Sequence, residues 1–581
     1  MQSRVGWISE GALNYVCERL TVPPAEAWGV ATFYALLATT PRPRRVLHVC
    51  DDIACRCRGA AELIAELERS HPAANDAEHV VGSGNGSVHA MEVRDEDSTW
   101  IRSPCLGLCD QAPAAFLTVA GPRPFERLFG NVTAQRAGMV LDGDDGAALV
   151  ARPALPAEAR SGGPLLARIG VVNPRSLDDY RAAGGYEALR RALDIGPEAV
   201  IREVVDSKLV GRGGAAFPTG RKWEAVARQP VRPHYLVCNA DESEPGTFKD
   251  RVLMEGDPFA LVEAMTVAGV ATGCELGYVY IRGEYPLAVE RVENAIAQAR
   301  ARGLLGDDIF GRGVRFDLEV RTGAGAYICG EETATFNSIE GLRGEPRNKP
   351  PFPVNAGLFG RPTVINNVET LMNVLPILLR GGATFASIGT AQSTGTKLFC
   401  LSGRVERPGV YEVPFGTTLR ALLALAGAPL PGQRLTAVLL GGAAGVFVRG
   451  DELDIPLTIE GARAADATLG SGVVMAFDET VDLRDILVRI AAFFRDESCG
   501  QCVPCRVGTV RQEEALHRIA LRQPRGSLGD ELSLIEEVGV AMRDASICGL
   551  GQTAYSAVES AVKRLRLFDG ADAQPTAGAT P

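Results

Sequence analysis

The sequence predicts a multidomain α/β protein. Its 581 residues are enough for three or four domains, each with its own core. Residues 166–390 alternate strand-like apolar runs with helical stretches, which is the pattern of an α/β sheet covered by helices. Two sets of four closely spaced cysteines lie outside this block, one near each end of the chain. We therefore expect cysteine-bearing domains on both sides of a central α/β domain.

The central block has a regular order of elements. Asp257-Pro258 supplies an N-cap and a first helical residue, and apolar alternation marks the strands. The predicted elements, in chain order, are a strand at 235–238, a helix at 258–270, a strand at 278–281, a helix at 286–300 and a strand at 316–320. Ligands of such sheets gather at the carboxyl ends of the strands. The loops that follow the first and last strands are therefore candidate binding loops.

The flanking segments complete the domain plan. Residues 393–475 combine two strand-like runs with a Leu-rich helix and predict a small β-grasp module, and 478–570 are helical around cysteine loops. The Pro-, Gly- and Ala-rich stretch 151–165 is typical of a linker. The predicted plan is 1–150 for the first cysteine domain, 151–165 for the linker, 166–390 for the α/β domain, 393–475 for the β-grasp domain, 478–570 for the helical domain and 571–581 for a disordered tail.

The C-terminal cysteine set is typical of an iron–sulfur site. Cys499, Cys502 and Cys505 are separated by two residues each, and Cys548 follows in a distant loop. Three thiolates from one loop and a fourth from another make a cage of soft ligands, which is what a [4Fe–4S] cluster needs. A structural zinc site is the alternative, although zinc sites usually pair two short CxxC loops.

The N-terminal set has a different spacing. Four residues separate Cys50 from Cys55, and three separate Cys105 from Cys109. Two such pairs suit two irons that each take two thiolates, so we predict a [2Fe–2S] cluster here. Cys57, two residues after Cys55, is a less favoured extra ligand. Together the two sets predict that the chain transfers electrons.

The remaining cysteines are interpreted as core residues. Cys17, for example, lies on the apolar stripe of a helix that Ser9 would cap.

Composition excludes other classes of function. The net charge of −11 argues against a nucleic-acid partner. The longest uncharged stretches, 27–41 and 381–396, are shorter than the ~20 apolar residues that a membrane span needs. We expect a cytoplasmic protein without direct membrane insertion.

Three unusual loops predict a nucleotide or flavin site. Residues 211–216, Gly-Arg-Gly-Gly-Ala-Ala, are almost all small, so their backbone can approach a phosphate or a ring closely. Residues 239–250 and 321–332 follow predicted strands and carry several acids. These acids could be a solvated charged surface or a metal site, but the loops lack histidine. Carboxylates can instead bond ribose hydroxyls and repel a 2′-phosphate, which favours NAD over NADP.

These loops, together with 347–353 (Arg-Asn-Lys-Pro-Pro-Phe-Pro) and 365–370 (Ile-Asn-Asn-Val-Glu-Thr), carry a family resemblance. Residues 166–570 resemble the 51 kDa-type flavoprotein subunit of respiratory complex I and its relatives in NAD-reducing hydrogenases and NAD-dependent formate dehydrogenases. The first block resembles the 24 kDa-type subunit of the same complexes. The resemblance implies a thioredoxin-like [2Fe–2S] domain, a Rossmann-like FMN- and NAD(H)-binding domain, an SLBB-like β-grasp domain and a helical [4Fe–4S] domain.

The resemblance also implies the site residues. FMN would be held by Gly211, Gly213, Gly214, Lys222, Asn239, Asp241, Glu242, Tyr327, Gly330, Glu331, Asn366, Asn367 and Thr370. NAD(H) would contact Phe217, Glu244, Glu332, Lys349 and Phe352, with Glu244 and Glu332 positioning the nucleotide for hydride transfer. One departure is Ala225, where the family commonly has an aromatic residue, so adenine stacking is expected to be weaker on that side.

The second substrate is expected to belong to a partner subunit. The loop 544–552 resembles the beta (diaphorase) subunit of NAD-dependent formate dehydrogenases most closely, which implies a molybdenum- or tungsten-containing alpha subunit as partner. The alternatives are the diaphorase subunit of an NAD-reducing hydrogenase and the NADH dehydrogenase flavoprotein subunit of a complex I-type enzyme. A structural protein stapled by zinc is the alternative that is not an enzyme.

Overall fold

The computed structural model describes residues 1–72, 98–147, 150, 155–159 and 163–569. The predicted tail 571–581 and residues 151–154 and 160–162 of the predicted linker lie outside the described residues. Across these ranges, every helix is too short or too polar to cross a lipid bilayer.

The first domain is a four-stranded sheet with helices around it. Its elements are α1 Gln2–Val5, α2 Glu10–Leu20, α3 Pro24–Ala31, β1 Arg45–Cys50, α4 Ile53–Arg56, α5 Ala60–Ser70, β2 Ser98–Ser103, β3 Ala115–Val119, β4 Phe125–Phe129 and α6 Ala134–Leu141. The strand order is β2-β1-β3-β4, with β1 parallel to β2 and antiparallel to β3. The predicted cap of α2 is confirmed, because the Ala12 N–H donates to Ser9 Oγ (3.2 Å) and Cys17 is buried.

The central domain is a parallel sheet of four strands. Its elements are α7 Leu177–Ala182, α8 Glu187–Ile195, α9 Pro197–Asp206, α10 Thr219–Ala227, β5 His234–Ala240, α11 Lys249–Gly256, α12 Pro258–Thr272, β6 Cys274–Ile281, α13 Pro286–Ala301, β7 Asp317–Thr322, α14 Glu332–Ile339, α15 Pro353–Ala356, β8 Thr363–Asn367, α16 Val368–Met372, α17 Val374–Arg380 and α18 Gly382–Ala386. The order β7-β6-β5-β8 places β5 and β6 inside. The predicted strands and helices of this block are confirmed within a few residues.

The β-grasp domain is a mixed sheet of five strands. Its elements are β9 Thr396–Gly403, β10 Gly409–Pro414, α19 Leu419–Leu425, β11 Leu435–Leu440, β12 Val446–Arg449, α20 Ile459–Ala464 and β13 Val473–Asp478. The order is β10-β9-β13-β11-β12, and β9 and β13 are parallel. Every residue of β9 and β13 is buried, so these two strands form the centre of this domain.

The C-terminal domain is helical. Its elements are α21 Leu483–Glu497, α22 Val503–Ala520, α23 Leu528–Ala545, α24 Gly549–Thr553 and α25 Ser556–Lys563. Cys502 and Cys548 are the N-cap residues of α22 and α24. Both thiols therefore lie at helix N-termini, where the helix dipole stabilises negative charge.

Two fully buried arginines hold the first domain on the central domain. Arg251 of α11 donates from Nε to Gly107 O (3.0 Å) and pairs with Asp110 (2.8 Å). Arg282, directly after β6, donates to Cys105 O (2.7 Å). Gly107 lies against the Tyr285 hydroxyl, and a Cβ at this position would overlap that oxygen. The loop between Cys105 and Cys109 is thus fixed on the carboxyl edge of the central sheet.

The first domain also contacts the C-terminal domain. Asp52 Oδ2 accepts from the Cys105 N–H (3.1 Å) and pairs with Arg489 of α21 (3.3 Å). Arg56 pairs with Asp485 of the same helix (2.7 Å). The first domain therefore contacts both the central domain and the C-terminal domain.

We predict that Gly107→Ala loosens this docking. Gly107 has φ +69°, so an added Cβ brings backbone strain as well as the overlap with Tyr285. Gly303→Ala is the matched control, since Gly303 has φ +65° and open space around it. Hydrogen–deuterium exchange of residues 98–112 and 281–286 should report a free energy of local opening about 2 kcal/mol lower in Gly107→Ala than in the control. Equal exchange in the two variants would show that the close approach is not required.

Candidate functional site

Loops from three strands converge at the carboxyl edge of the central sheet. Asn239 Nδ2, at the end of β5, donates to Gly330 O (2.8 Å) in the segment between β7 and α14. The Gly-rich loop lies over the end of β8, where the Arg212 N–H donates to Thr370 Oγ1 (2.8 Å). A Cβ on Gly213 would be only 3.1 Å from the Asn367 Cβ. The structure thus brings together the loops that the sequence singled out.

One carboxylate oxygen of Asp241 is available as a hydrogen-bond acceptor in this crevice. Its Oδ1 accepts from Ser243 Oγ (3.0 Å), but its buried Oδ2 has no hydrogen-bond partner within the described residues. Gly330 lies beside this oxygen, since a Cβ there would be 3.6 Å from it. Burial raises the pKa of Asp241 to about 8. A ligand with hydroxyl groups, such as the ribityl chain of FMN, would satisfy this oxygen.

Two lysines and two acids form one charged cluster at the edge. Lys349 Nζ pairs with Glu331 (2.9 Å) and Glu332 (2.8 Å), and Lys222 Nζ lies 3.7 Å from Glu332. Lys222 also donates to Ile365 O (3.0 Å) at β8. Although burial opposes the effect, these acids raise the pKa of Lys349. The lysines therefore neutralise part of the negative charge that we expected to repel a 2′-phosphate.

The β-grasp domain closes one side of the site through Glu244. Its carboxylate accepts from the Ala444 N–H (3.0 Å) and from Ser471 Oγ (3.2 Å). A Cβ on Gly442 would lie only 2.5 Å from the Glu244 carboxyl carbon. Burial raises the pKa of Glu244 to about 7. Sequence reasoning missed Ala444 and Ser471, which lie about 200 residues further along the chain.

Glu242 has a different role from its neighbours in the same loop. Its two carboxylate oxygens accept from the N–H groups of Asp250 and Arg251, each at 2.9 Å. Its main-chain oxygen accepts from Arg282 Nη1 (2.8 Å). Its carboxylate thus holds the start of α11.

The predicted aromatics lie at the mouth of the crevice. Phe217 and Phe352 are 53% and 54% exposed, which is unusual for phenylalanine. Lys222 Nζ lies 5.8 Å from the Phe217 ring. Exposed rings beside a polar crevice provide faces on which a base can stack.

A buried charge network that the sequence did not reveal lies beneath the Gly-rich loop. Lys249 pairs with Asp250 (2.7 Å) and Glu369 (3.1 Å), and Asn367 Nδ2 donates to Asp250 (2.6 Å). Lys397 Nζ, from β9, donates to Arg212 O (3.4 Å). The scarcity of lysine, with six in the chain, was the only available signal for Lys249 and Lys397. This network supports the Gly-rich loop from below.

The N-terminal cysteines converge in a buried pocket. Cys105 Sγ and Cys109 Sγ are 3.5 Å apart, and Cys50 lies within hydrogen-bonding reach of both Cys55 and Cys105. Two thiolates on one tetrahedral metal at ~2.3 Å would be about 3.8 Å apart, so the Cys105–Cys109 pair fits a shared iron. Burial raises the pKa of Cys57 to about 12, and its charged neighbours include Arg404, Arg58 and Asp478.

The C-terminal cysteines also share one pocket. Cys505 interacts electrostatically with Cys499, Cys502 and Cys548. Gly551 keeps this pocket small, because a Cβ there would lie 2.9 Å from the Cys505 Cβ. In the described ranges no three histidine, cysteine or acidic side chains come close enough to hold one metal ion. A cluster of several irons spreads its ligands over a wider cage.

Tyr327 joins the flavin loop to the C-terminal domain. Its N–H donates to Glu497 Oε2 (2.8 Å) at the end of α21, and its ring centroid lies 5.0 Å from that of Phe493. Burial raises the pKa of the Tyr327 phenol, and both Glu244 and Cys548 add to that effect. The candidate flavin crevice and the C-terminal cysteine pocket therefore adjoin each other.

Family models match all four parts of the chain. Residues 1–142 match a thioredoxin-like [2Fe-2S] ferredoxin and 204–376 the Nuo51 FMN-binding domain. Residues 398–445 match an SLBB domain and 485–567 the iron-sulfur binding region of NADH-ubiquinone oxidoreductase-F. The F 2 subunit of the NADH-quinone oxidoreductase of Rhizobium meliloti is 46% identical over 404 residues, which are 69% of this chain and 95% of that protein. The chain belongs to this flavoprotein family.

Other relatives come from hydrogenases. The HndC subunit of the NADP-reducing hydrogenase of Solidesulfovibrio fructosivorans is 45% identical over 66% of this chain and 78% of its own. A chain from the crystal structure of an air-oxidized NAD+-reducing [NiFe]-hydrogenase superposes with a TM-score of 0.79 and 32% identity over 98% of this chain and 92% of that one. The predicted domain folds and cofactors are confirmed: the chain is an oxidoreductase with FMN-binding, [2Fe–2S] and [4Fe–4S] domains and NADH as substrate.

We predict that the buried Asp241 carboxyl makes the FMN-free protein less stable as the pH rises. A carboxyl whose pKa is about 8 when folded and ~3.9 when unfolded stabilises the fold fully below pH 4, and this contribution is lost as the pH rises towards 8. In Asp241→Asn, the melting temperature should fall less between pH 6 and pH 8.5 than in the wild type. Asp307→Asn, at a site whose side chain is 90% exposed, should follow the wild type. An unchanged pH dependence in Asp241→Asn would contradict the burial argument.

Proposed function

We propose that the chain is a diaphorase subunit that exchanges hydride with NAD(H) at FMN and exchanges electrons with a partner through its [4Fe–4S] cluster. The observation that carries this proposal is the contact of Tyr327 with α21 and its proximity to Cys548. This contact supports a short electron route, because Glu497, which accepts from the Tyr327 N–H, is only two residues before Cys499. Bound FMN supplies the conversion between two-electron and one-electron transfer.

The carboxyl edge of the central sheet is the proposed FMN site. Its walls are the Gly-rich loop with Gly211, Gly213, Gly214 and Lys222, the β5 loop with Asn239, Asp241 and Glu242, the β7 loop with Tyr327, Gly330 and Glu331, and the β8 end with Asn366, Asn367 and Thr370. Small residues leave room for the cofactor, and Asp241 Oδ2 accepts from it. Glu242 contributes through the β5 loop, and its carboxylate also accepts from the start of α11.

NAD(H) is proposed to enter at the mouth of this crevice. Phe217 and Phe352 give exposed faces for the adenine, and Lys349 lies near a phosphate or ribose. Glu244 and Glu332 accept from ribose hydroxyls and so place the nicotinamide over the flavin. Hydride transfer itself needs no general base, so the work of these residues is positioning.

The cysteine assignments follow the same proposal. Cys50, Cys55, Cys105 and Cys109 hold the [2Fe–2S] cluster, and Cys499, Cys502, Cys505 and Cys548 hold the [4Fe–4S] cluster. The [2Fe–2S] centre lies beside the flavin loop, because Arg282 bonds both Cys105 O and Glu242 O. It serves as a relay or an electron reservoir.

The partner is proposed from two observations that favour different enzymes. The resemblance of loop 544–552 favours the alpha subunit of a molybdenum- or tungsten-containing formate dehydrogenase. Against this, the solved NAD+-reducing [NiFe]-hydrogenase chain matches this chain over nearly its whole length, including the fused first domain. A hydrogenase is therefore the second candidate, and a quinone-reducing complex is the third.

Cys502→Ser should separate flavin chemistry from electron delivery. We expect NADH to bleach the flavin in a single turnover, while donor-linked NAD+ reduction by the complex isolated through a tag on this chain is nearly abolished. Electron paramagnetic resonance should show loss of the [4Fe–4S] signal with the [2Fe–2S] signal retained. Cys109→Ser is the reciprocal variant and should retain the [4Fe–4S] signal.

The same complex identifies the donor. The wild-type complex should reduce NAD+ with formate, and activity with H2 instead would select the hydrogenase alternative. Full donor-linked turnover in Cys502→Ser, with its [4Fe–4S] signal absent, would contradict the proposed order of carriers.

A further inference from the structure

The segment between α3 and β1 lies against the outer side of the β7 loop. In this segment, Phe33–Leu37, which we call the N-terminal strap, the Ala35 N–H donates to Gly325 O (3.1 Å) and the Leu36 N–H donates to Ala324 O (2.9 Å). The Leu36 side chain fills the space that small residues leave, since a Cβ on Gly325 would lie 3.0 Å from Leu36 Cγ. The strap thus contacts the loop two residues before Tyr327.

Tyr34 is the strap residue whose side chain packs into the central domain. Its side chain is buried, and its hydroxyl donates to Leu342 O (2.8 Å) and lies 2.9 Å from Ser338 Oγ. Ser338 in turn bonds the Tyr280 hydroxyl (2.8 Å) at the end of β6. These three hydroxyls lie near the Cys329 thiol.

Cys329 connects this cluster to the flavin crevice. It directly precedes Gly330, whose carbonyl accepts from Asn239 and which lies beside the unpartnered Asp241 oxygen. Gly344 also borders this thiol, because a Cβ on Gly344 would lie 2.5 Å from Cys329 Sγ and 3.6 Å from the Tyr34 hydroxyl oxygen. The short helical turn 327–330 is therefore held between the crevice and the Tyr34 cluster.

A neighbouring residue of the strap reaches the second cluster site. Phe33 packs under Arg343, whose guanidinium carbon lies 5.2 Å from the ring centroid. Arg343 Nη2 donates to Cys499 O (3.3 Å) in the C-terminal cysteine loop. Two consecutive strap residues therefore support, from outside, the proposed flavin loop and the proposed [4Fe–4S] loop.

We propose that Tyr34 is a positioning residue for FMN, so that the domain carrying the [2Fe–2S] cysteines also builds the flavin site. The inference rests on the proposed place of FMN at the carboxyl edge. Tyr34 does not reach the crevice itself; it acts through Ser338 and Cys329 on the turn that carries Tyr327 and Gly330. Removing its hydroxyl should leave the fold intact and release this turn.

The test compares Tyr34→Phe with Tyr15→Phe in the full-length protein. Tyr15 lies on α2 with 55% of its surface exposed, so its variant controls for loss of a phenol in the same domain. Loss of one buried hydrogen-bonded hydroxyl predicts a three- to tenfold faster release of FMN, followed by the rise of free-flavin fluorescence, in Tyr34→Phe. The control should stay within about twofold of the wild type.

Two further measurements distinguish positioning from a general loss of stability. The thermal midpoint of the FMN-free protein should be nearly the same in Tyr34→Phe and the wild type. The midpoint potential of the flavin should shift in Tyr34→Phe and not in the Tyr15→Phe control.

Ser338→Ala should speed FMN release as well. In the Tyr34→Phe/Ser338→Ala double variant, the increase in FMN release should be smaller than the sum of the two single effects, because both substitutions act through one hydrogen bond.

Wild-type FMN release and potential in a folded Tyr34→Phe protein would overturn the inference, as would additive effects of the two substitutions. Failure of the proposed FMN site is recognised separately with Asp241→Asn. If FMN lies at the carboxyl edge, this variant should weaken FMN binding whatever Tyr34 does. Normal FMN binding in Asp241→Asn would show that FMN does not bind at the carboxyl edge of the sheet.

Discussion

Hydrogen bonds between charged side chains and backbone groups at the carboxyl edge of the β7-β6-β5-β8 sheet hold the domains together. Arg282 bonds the first domain through Cys105 O and the β5 loop through Glu242 O. Glu244 bonds the β-grasp domain, and Glu497 bonds the β7 loop from the C-terminal domain. A charged group removed from water is costly unless it is hydrogen-bonded, so each domain supplies partners that stabilise the arrangement of the others.

This constraint explains how one chain can bring a flavin site close to two cysteine pockets. The parallel sheet aligns the strand ends, and the loops that leave them have few ways to fold once their polar atoms must be paired. The Gly-rich loop rests on the Lys249–Glu369 network, the β5 loop on α11 and the β7 loop on α21. In this crevice, Asp241 Oδ2 is a buried carboxylate oxygen without a hydrogen-bond partner among the described residues. The ligand itself would complete the pairing.

Much of this architecture could be predicted from local sequence. Apolar alternation and the Asp257-Pro258 helix start predicted β5, α12 and β6. The spacings of the two cysteine sets predicted the two iron–sulfur sites. The small residues of 211–216 predicted that the Gly-rich loop is a binding loop. Three long-range contacts could not be predicted from local sequence patterns. They join Arg282 to Cys105, Glu244 to Ala444 and Tyr34 to Ser338, which are 177, 200 and 304 positions apart. The carboxylate of Glu242 shows the same limit, since the sequence could not tell a ligand contact from a contact with α11.

The central claim is that NADH passes electrons through FMN to iron–sulfur clusters within this one chain. An anaerobic titration of the purified protein with NADH, followed by visible absorption and electron paramagnetic resonance on the same samples, tests this claim most directly. The account predicts about six irons per chain, with bleaching of the flavin and a reduced [4Fe–4S] signal that grows with added NADH. Flavin that bleaches without any cluster signal, or stoichiometric zinc in place of iron, would contradict it.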